Sequence, residues 1–278
     1  MDEAEKTGEV AEFSTKQGAT LRIMRNILYY VIAAVVIYYF IMAALSPVIY
    51  IRDLNSRYGA DTTLLKTLDE RFLQDSAYIA MSQKLAFAGA QMRMSSSDSI
   101  GMTINLPDSL VSLKIKGVTL RSIPIISYSV AGSMAGIDRY ALASILAEPM
   151  QIESSEATIA KEPLMVKIAP RDTAEASALP LIVPDTLMIT PVNFRLRLTN
   201  GVRLVVLQEV TDDATEKMAR NRFLFKQSVR DASGGFGRAL TFKFPVYEPE
   251  IRVVVSKVDA RIIYRAIPYN GMVVLRIR

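Results

Sequence analysis

The hydrophobic and polar positions of this chain fall into three regimes. The first has no period at all: no residue from Asn26 to Ile51 is charged, and Ile27 to Leu45 (ILYYVIAAVVIYYFIMAAL) is an unbroken apolar and aromatic run. At about 1.5 Å per residue a helix over this run is roughly 28 Å long, close to the ~30 Å hydrocarbon layer of a bilayer. A helix in a soluble core would keep a solvent face, and this run has none. Met42-Ala43-Ala44 offers a small-residue cleavage site, but the run is longer than the ~7–15 residues of a signal-peptide core and begins well into the chain. The pattern therefore predicts an uncleaved transmembrane helix over 27–46, with Ser46-Pro47 as its stop. The second regime is helical. Asp61 to Met94 lacks Pro, Asp61 suits an N-cap, and Leu65, Leu68, Phe72 and Ile79 fall near one face. Asp75 and Ser82 break the heptad, so a long coiled coil is not expected. The stripe either packs on the chain's own domain or meets a partner. Residues 47–98 are read as a helical stalk that Ser95-Ser96-Ser97-Asp98 closes.

The third regime alternates with period two. Ile104 and Leu106, then Val111, Leu113 and Ile115, precede a β-branched stretch from Val118 to Val130. Phe194, Leu196 and Leu198 alternate with Arg ahead of Asn200-Gly201, a hairpin whose turn favours positive φ. Glu148 to Asp185 has fewer clean periods and reads as long connections. Asp212 to Arg230 reads as a helix, Ser233-Gly234-Gly235-Phe236-Gly237 as a loop, and the end as strand (251–256), helix (258–266), turn and strand (272–277). The fold class is mainly β (a β-rich α+β domain over 99–278). Ile104, Val111, Leu113, Leu196, Leu198, Val253, Val255 and Val274 are expected in its core.

Charge sets the orientation only weakly. The formal net charge is +5, from 33 Lys and Arg against 28 Asp and Glu. Lys16, Arg22 and Arg25 precede the span, and Arg52, Arg57 and Lys66 follow it, nearly a tie for the positive-inside rule. A short tail ahead of a long C-terminal domain suits a signal anchor, which puts residues 1–26 in the cytoplasm and the domain outside. Acids crowd MDEAEKTGEVAE at the start of that tail, which reads as disordered. Tyr38 and Tyr39 lie near the middle of the span, too deep for the interfacial belt that Tyr29, Tyr30 and Tyr50 can join. Their hydroxyls call for another transmembrane helix on that face, from a second copy or another protein.

Candidate chemistry is sparse. The chain has no Cys, His or Trp. That excludes disulfides, thiolate metal sites, cysteine nucleophiles and every Ser-His-Asp arrangement. No Gly-rich phosphate loop, nucleophile elbow or S-x-x-K is present; Lys6-Thr7-Gly8 sits in the tail by chance. No pair of carboxylates stands out, and neither a metal nor a cofactor is implied. Arg220, Arg222, Lys226 and Arg230 form a basic run suited to a solvated helix face or to anionic lipid or glycan. Phe223 and Phe225 within it read as that helix's core side, and nucleic acid is not an expected partner.

The C-terminus carries a family resemblance. Pro249-Glu250-Ile251-Arg252-Val253 followed by Val258-Asp259-Ala260-Arg261-Ile262-Ile263-Tyr264-Arg265-Ala266 resembles the end of an L,D-transpeptidase (YkuD-type) catalytic domain. That family has a Ser-x-Gly-Cys-[Ile/Val]-Arg motif, a D-A-x-x-L-Y helix, a turn and a final strand. Asp259-Ala260 and Tyr264 fit the helix, and Ile267 to Val274 the turn and strand. In this alignment Glu250 stands at the nucleophilic cysteine, Pro249 at the glycine and Tyr247 at the serine; the catalytic histidine has no counterpart. Only Arg252 remains as a binding candidate, with a surface ion pair as its plain alternative. The resemblance implies a transpeptidase-like fold without its reaction, since the acyl transfer needs a thiolate and a base. The expectation is a non-catalytic protein of the bacterial inner membrane, its domain periplasmic, that binds or scaffolds at peptidoglycan. The alternative is a structural subunit of an envelope complex, assembled through span and stalk without peptidoglycan contact.

Overall fold

The computed structural model describes residues 3–58, 76–161, 190–211 and 213–277. Asp61, Leu65, Leu68, Phe72 and Asp75, and most of the stretch read as long connections, lie outside them. In chain order the elements are α1 (Glu3–Tyr58), α2 (Ser76–Met94), β1 (Gly101–Asn105), β2 (Leu110–Ile115), β3 (Val118–Pro124), β4 (Ser127–Val130), a 3₁₀ turn (Gly132–Gly136), α3 (Arg139–Leu146), β5 (Met150–Ala157), β6 (Phe194–Leu198), β7 (Arg203–Gln208), α4 (Ala214–Leu240), β8 (Glu250–Val255), α5 (Lys257–Ala266) and β9 (Met272–Arg276). They form two compact units: Met1–Ile49 with Arg230–Tyr247, and Tyr50–Val229 with Glu248–Arg278.

In the first unit, α1 already begins at Glu3, so the tail expected to be disordered is helical. Its Ala, Glu and Lys content favours helix, and no Pro occurs before Pro47. Pro47 does not stop the helix either, and α1 continues to Tyr58. A Pro forfeits one ladder bond, whereas ending the helix would release a whole turn of carbonyls. Beside it Ser46 Oγ donates to the carbonyl of Pro245 at 2.7 Å. From Met24 to Tyr58, α1 is long and apolar enough to cross a membrane, and very little of that stretch is buried. A leader peptide shares that composition. The glycine-rich stretch read as a loop is also helical, as part of α4. Each Gly there costs about 1 kcal/mol relative to Ala, and the stretch gains close approach instead. A Cβ on Gly235 would stand 3.3 Å from Tyr39 Oη and 3.5 Å from Pro245 Cβ.

The second unit is built on a nine-stranded sheet in the order β3-β2-β1-β9-β5-β6-β7-β8-β4. Only β1–β9 and β7–β8 are parallel. The two ends of this order, β3 and β4, are consecutive in the chain and separated by Ile125 and Ile126 alone. Those residues reach at most roughly 10 Å. Ile125 N–H donates to Ser109 on one side and Ile126 N–H to Val254 on the other. The edges therefore meet and the sheet closes into a barrel. Met102, Ile104, Phe194, Leu204, Ile251 and Leu275 are buried inside it, joined by Ala260, Ile263 and Tyr264 of α5 and by Leu142 of α3. Two helices cover the outside: α2 sets Ala90 and Met94 on Val274, and α4 sets Phe223 on Val205 and Leu207. Tyr50, Ile51 and Leu54, from the last turns of α1, pack on the inner cluster.

All eight residues expected in the core are buried. Val274 is buried on the opposite face, under α2. It lies in a central strand covered on both sides, where alternation disappears. Phe225 points to solvent, contrary to its expected place beside Phe223. The hairpin turn also differs. Leu198 N–H bonds to Val202, Gly201 N–H bonds to Leu198, and only Gly201 has positive φ, so the loop spans three residues with a glycine bulge. The two-residue turn with both φ positive is Lys116-Gly117, between β2 and β3.

Candidate functional site

Arg252 lies on β8, opposite Val205 of β7 and Ser129 of β4. Its side chain is half exposed and its Nε donates to the Glu250 carboxylate. Glu250 and Arg252 thus pair with each other on the outer face of the barrel. Asp259 and Ala260 are buried, as is Tyr264. Ser256 caps α5 by accepting from Asp259 N–H, and Asp259 in turn receives Arg121 through Nη2 at 2.8 Å and Nε at 3.1 Å. That carboxylate is occupied by β3 and by its own helix cap, a positioning role.

Two further clusters escaped the sequence reading. The first is Glu248, whose nearly buried carboxylate takes Arg197 Nη2 and Arg203 Nε, each at 2.6 Å. The F-R-L-R-L alternation marks Arg197 as solvent-facing, and nothing in the pattern signals an acid fifty residues downstream. The second joins three separated segments. Lys161 Nζ donates to the carbonyl of Ile267, which caps the end of α5. It also lies 5.2 Å from the ring centre of Tyr264 and 4.8 Å from that of Tyr269. A cation at a helix C-terminus and over two aromatic faces is stabilised by the helix dipole and the ring quadrupoles. Burial nevertheless holds the ammonium below the usual lysine value and pushes the Tyr264 phenol above the usual tyrosine value. With its ammonium bonded to the Ile267 carbonyl and set against two rings, Lys161 acts as a clip on the end of α5. Lys161 lies in a stretch with no readable period, which hid it.

A shallow groove lies between α2, α3 and β9, lined by Gln83, Phe87, Leu142, Leu146, Leu275 and Arg276. Its lining is mainly apolar, with Gln83 and Arg276 as the polar members. Among the described residues no three acidic side chains converge as a metal site requires. The opposite face of α2 is the more distinctive surface. Tyr78, Met81, Leu85 and Met92 follow one another at spacings of three, four and seven, and all are exposed, Leu85 by 74%. Ile79, Ala90 and Met94 form the buried face on the other side. Comparison with protein-family models, with curated proteins and with solved structures returned no match.

Proposed function

We propose that this chain is a non-catalytic, membrane-anchored subunit of a cell-envelope assembly. In this reading α1 spans the bacterial inner membrane, residues 1–26 lie in the cytoplasm and the barrel lies outside. The observation that carries it is the outward stripe of α2. A helix apolar on two opposite faces belongs between two surfaces, and the barrel covers only one. The a/d-like spacing of Tyr78, Met81, Leu85 and Met92 fits a helix of a partner subunit. In-cell photocrosslinking tests this with a probe at Leu85 or Met92 and a control at Lys84. The expected result is one discrete crosslinked species at the stripe positions, lost in Met81→Glu. Equal crosslinking at Lys84, or none anywhere, would remove the assembly reading.

A second reading, binding or scaffolding at peptidoglycan, is supported by the order β8, α5, turn, β9. This is the order that the L,D-transpeptidase resemblance implies, with Tyr264 buried and Arg252 on the surface. It is distinguished by incubating the full chain in detergent with purified sacculi. Sedimentation with the sacculi, weakened by Arg252→Ala, supports wall binding; a chain that stays in the supernatant supports the assembly role alone. In either reading purified protein is expected to release no D-Ala from tetrapeptide stems.

A further inference from the structure

We infer that Arg230–Tyr247 is a second membrane-embedded element: a re-entrant helix, turn and extended return that enters the acyl-chain layer against the Tyr38/Tyr39 face of α1. The inference rests on the reading of α1 as an uncleaved span, and it goes beyond the proposed assembly role. Three contacts within one unit fix the depth. Ser46, just past the apolar run, meets Pro245 through the hydrogen bond already described. Tyr39 packs edge-on against Phe236, with ring centres 5.7 Å apart, and Tyr38 against Phe242 at 6.0 Å. Tyr38 precedes Ser46 by eight residues, about 12 Å along the helix, and one leaflet's hydrocarbon is roughly 15 Å deep. If α1 spans, the segment beside it reaches most of the way to the mid-plane.

The turn at the bottom is unusual in a way that fits this place. Lys243 N–H bonds to Arg238 and Phe242 N–H to Ala239, the paired bonds of a Schellman cap, with Phe242 at φ 57°. Glycine normally takes that position, because a bulky side chain is strained at positive φ. Here a phenylalanine takes it, and the ring is 82% exposed. Leu240, Phe244 and Val246 are exposed around it. Strain held to present an apolar ring to water has no use, whereas presenting it to acyl chains does. The segment's charged groups bound its depth: Arg238 Nε donates to the Phe244 carbonyl at 3.2 Å, and Lys243, next to Phe242, requires the turn to stay within the outer leaflet, where its ammonium extends toward the headgroups. Gly235 is the glycine of α4 that lies against α1, where a Cβ would stand 3.3 Å from Tyr39 Oη. The Tyr38/Tyr39 face of α1 is then covered, through ring contacts, by this chain's own segment.

Because the chain lacks cysteine, any single introduced thiol is a unique probe. The full chain, reconstituted in phosphatidylcholine vesicles, carries an environment-sensitive fluorophore at Val36→Cys (span), Leu240→Cys (re-entrant turn) or Thr199→Cys (barrel surface). Acyl-chain spin-labelled lipid then reports depth. Quenching at Leu240 is expected to approach that at Val36 and to exceed that at Thr199 several-fold. Phe242→Gly should cut the quenching at Leu240 by at least half while leaving the barrel's thermal midpoint unchanged, which separates lost insertion from misfolding. The Tyr39→Cys/Phe236→Cys double variant, treated with a bifunctional thiol reagent that spans about 10 Å, should give an intramolecular crosslink. Quenching at Val36 but not at Leu240 overturns the proposal and leaves the span standing. Quenching at neither removes the span and the proposal together. A predominantly intermolecular crosslink overturns the assignment of this segment as the neighbour.

Discussion

At the scale of single residues, the Lys161 clip gives the chain an alkaline signature whose sign follows from its two ionisable members. Burial places the folded-state value of Lys161 below its ordinary 10.5, so holding it charged in the fold is costly. That cost is present at neutral pH and is relieved as pH rises through the folded value toward 10.5, so stability rises in that window. Tyr264 shifts the other way, above its ordinary 10.0, again chiefly by burial. Its contribution is complete below pH 10.0 and is lost as pH climbs through the folded value. Urea unfolding followed across the alkaline range should therefore rise and then fall. Lys161→Met should flatten the rise and Tyr264→Phe the fall; identical profiles for all three proteins would remove the clip's role. Such a site cannot be read from sequence, because Lys161, Ile267 and Tyr269 meet only once the barrel has placed α5. Arg252 illustrates the converse. It was legible as a residue type in a motif-like context, but its partner, Glu250, is a local neighbour two residues away.

Elements were legible where a period was clean and both faces differed. The alternation in β2, β6 and β8 identified their buried residues, and the helix expected over 258–266 is α5, although Ser256, read as strand, is its N-cap. What failed was punctuation: Pro47 and the glycines of α4 were read as breaks, and both lie inside helices. Local propensity for a break is worth about 1–3 kcal/mol per residue, and packing on a neighbouring segment outweighs it. At Asn200-Gly201 the expected hairpin forms with a three-residue loop in which only Gly201 has positive φ, since loop length is set by the register of the strands it joins. The β6–β7 hairpin also owes its place to Glu248. Arg203 is largely buried, so Glu248→Gln leaves it poorly compensated and should cost about 3 kcal/mol in urea unfolding. Glu250→Gln, which breaks the more exposed pair with Arg252, should cost no more than about 0.5 kcal/mol. Similar losses for both would mean that the Glu248 cluster is no stronger than a surface pair.

At the scale of the whole molecule, the decisive feature is where the last strand goes. β9 is the C-terminal element, yet it lies inside the sheet, parallel to β1 on one side and antiparallel to β5 on the other. β1 and β5 therefore gain their shared partner only when β9 inserts between them. Until then β1 and β5 present unpaired edges, and Val274 cannot meet Ala90 and Met94 of α2. Pairings of such large sequence separation make folding slow and leave open edges exposed meanwhile. A chain ending at Tyr269 lacks Gly271, whose N–H closes the turn on Pro268, and all of β9. It should fail to form the barrel, with loss of near-ultraviolet dichroism and of a cooperative thermal transition, although every other strand is present. Removal of residues 3–23 from the other end takes away one stretch of α1 and no strand, and should leave the barrel's thermal midpoint within a few degrees of the full chain. A truncated chain that still melts cooperatively near the full-length temperature would show that β9 is a peripheral addition and that the barrel is closed by other contacts.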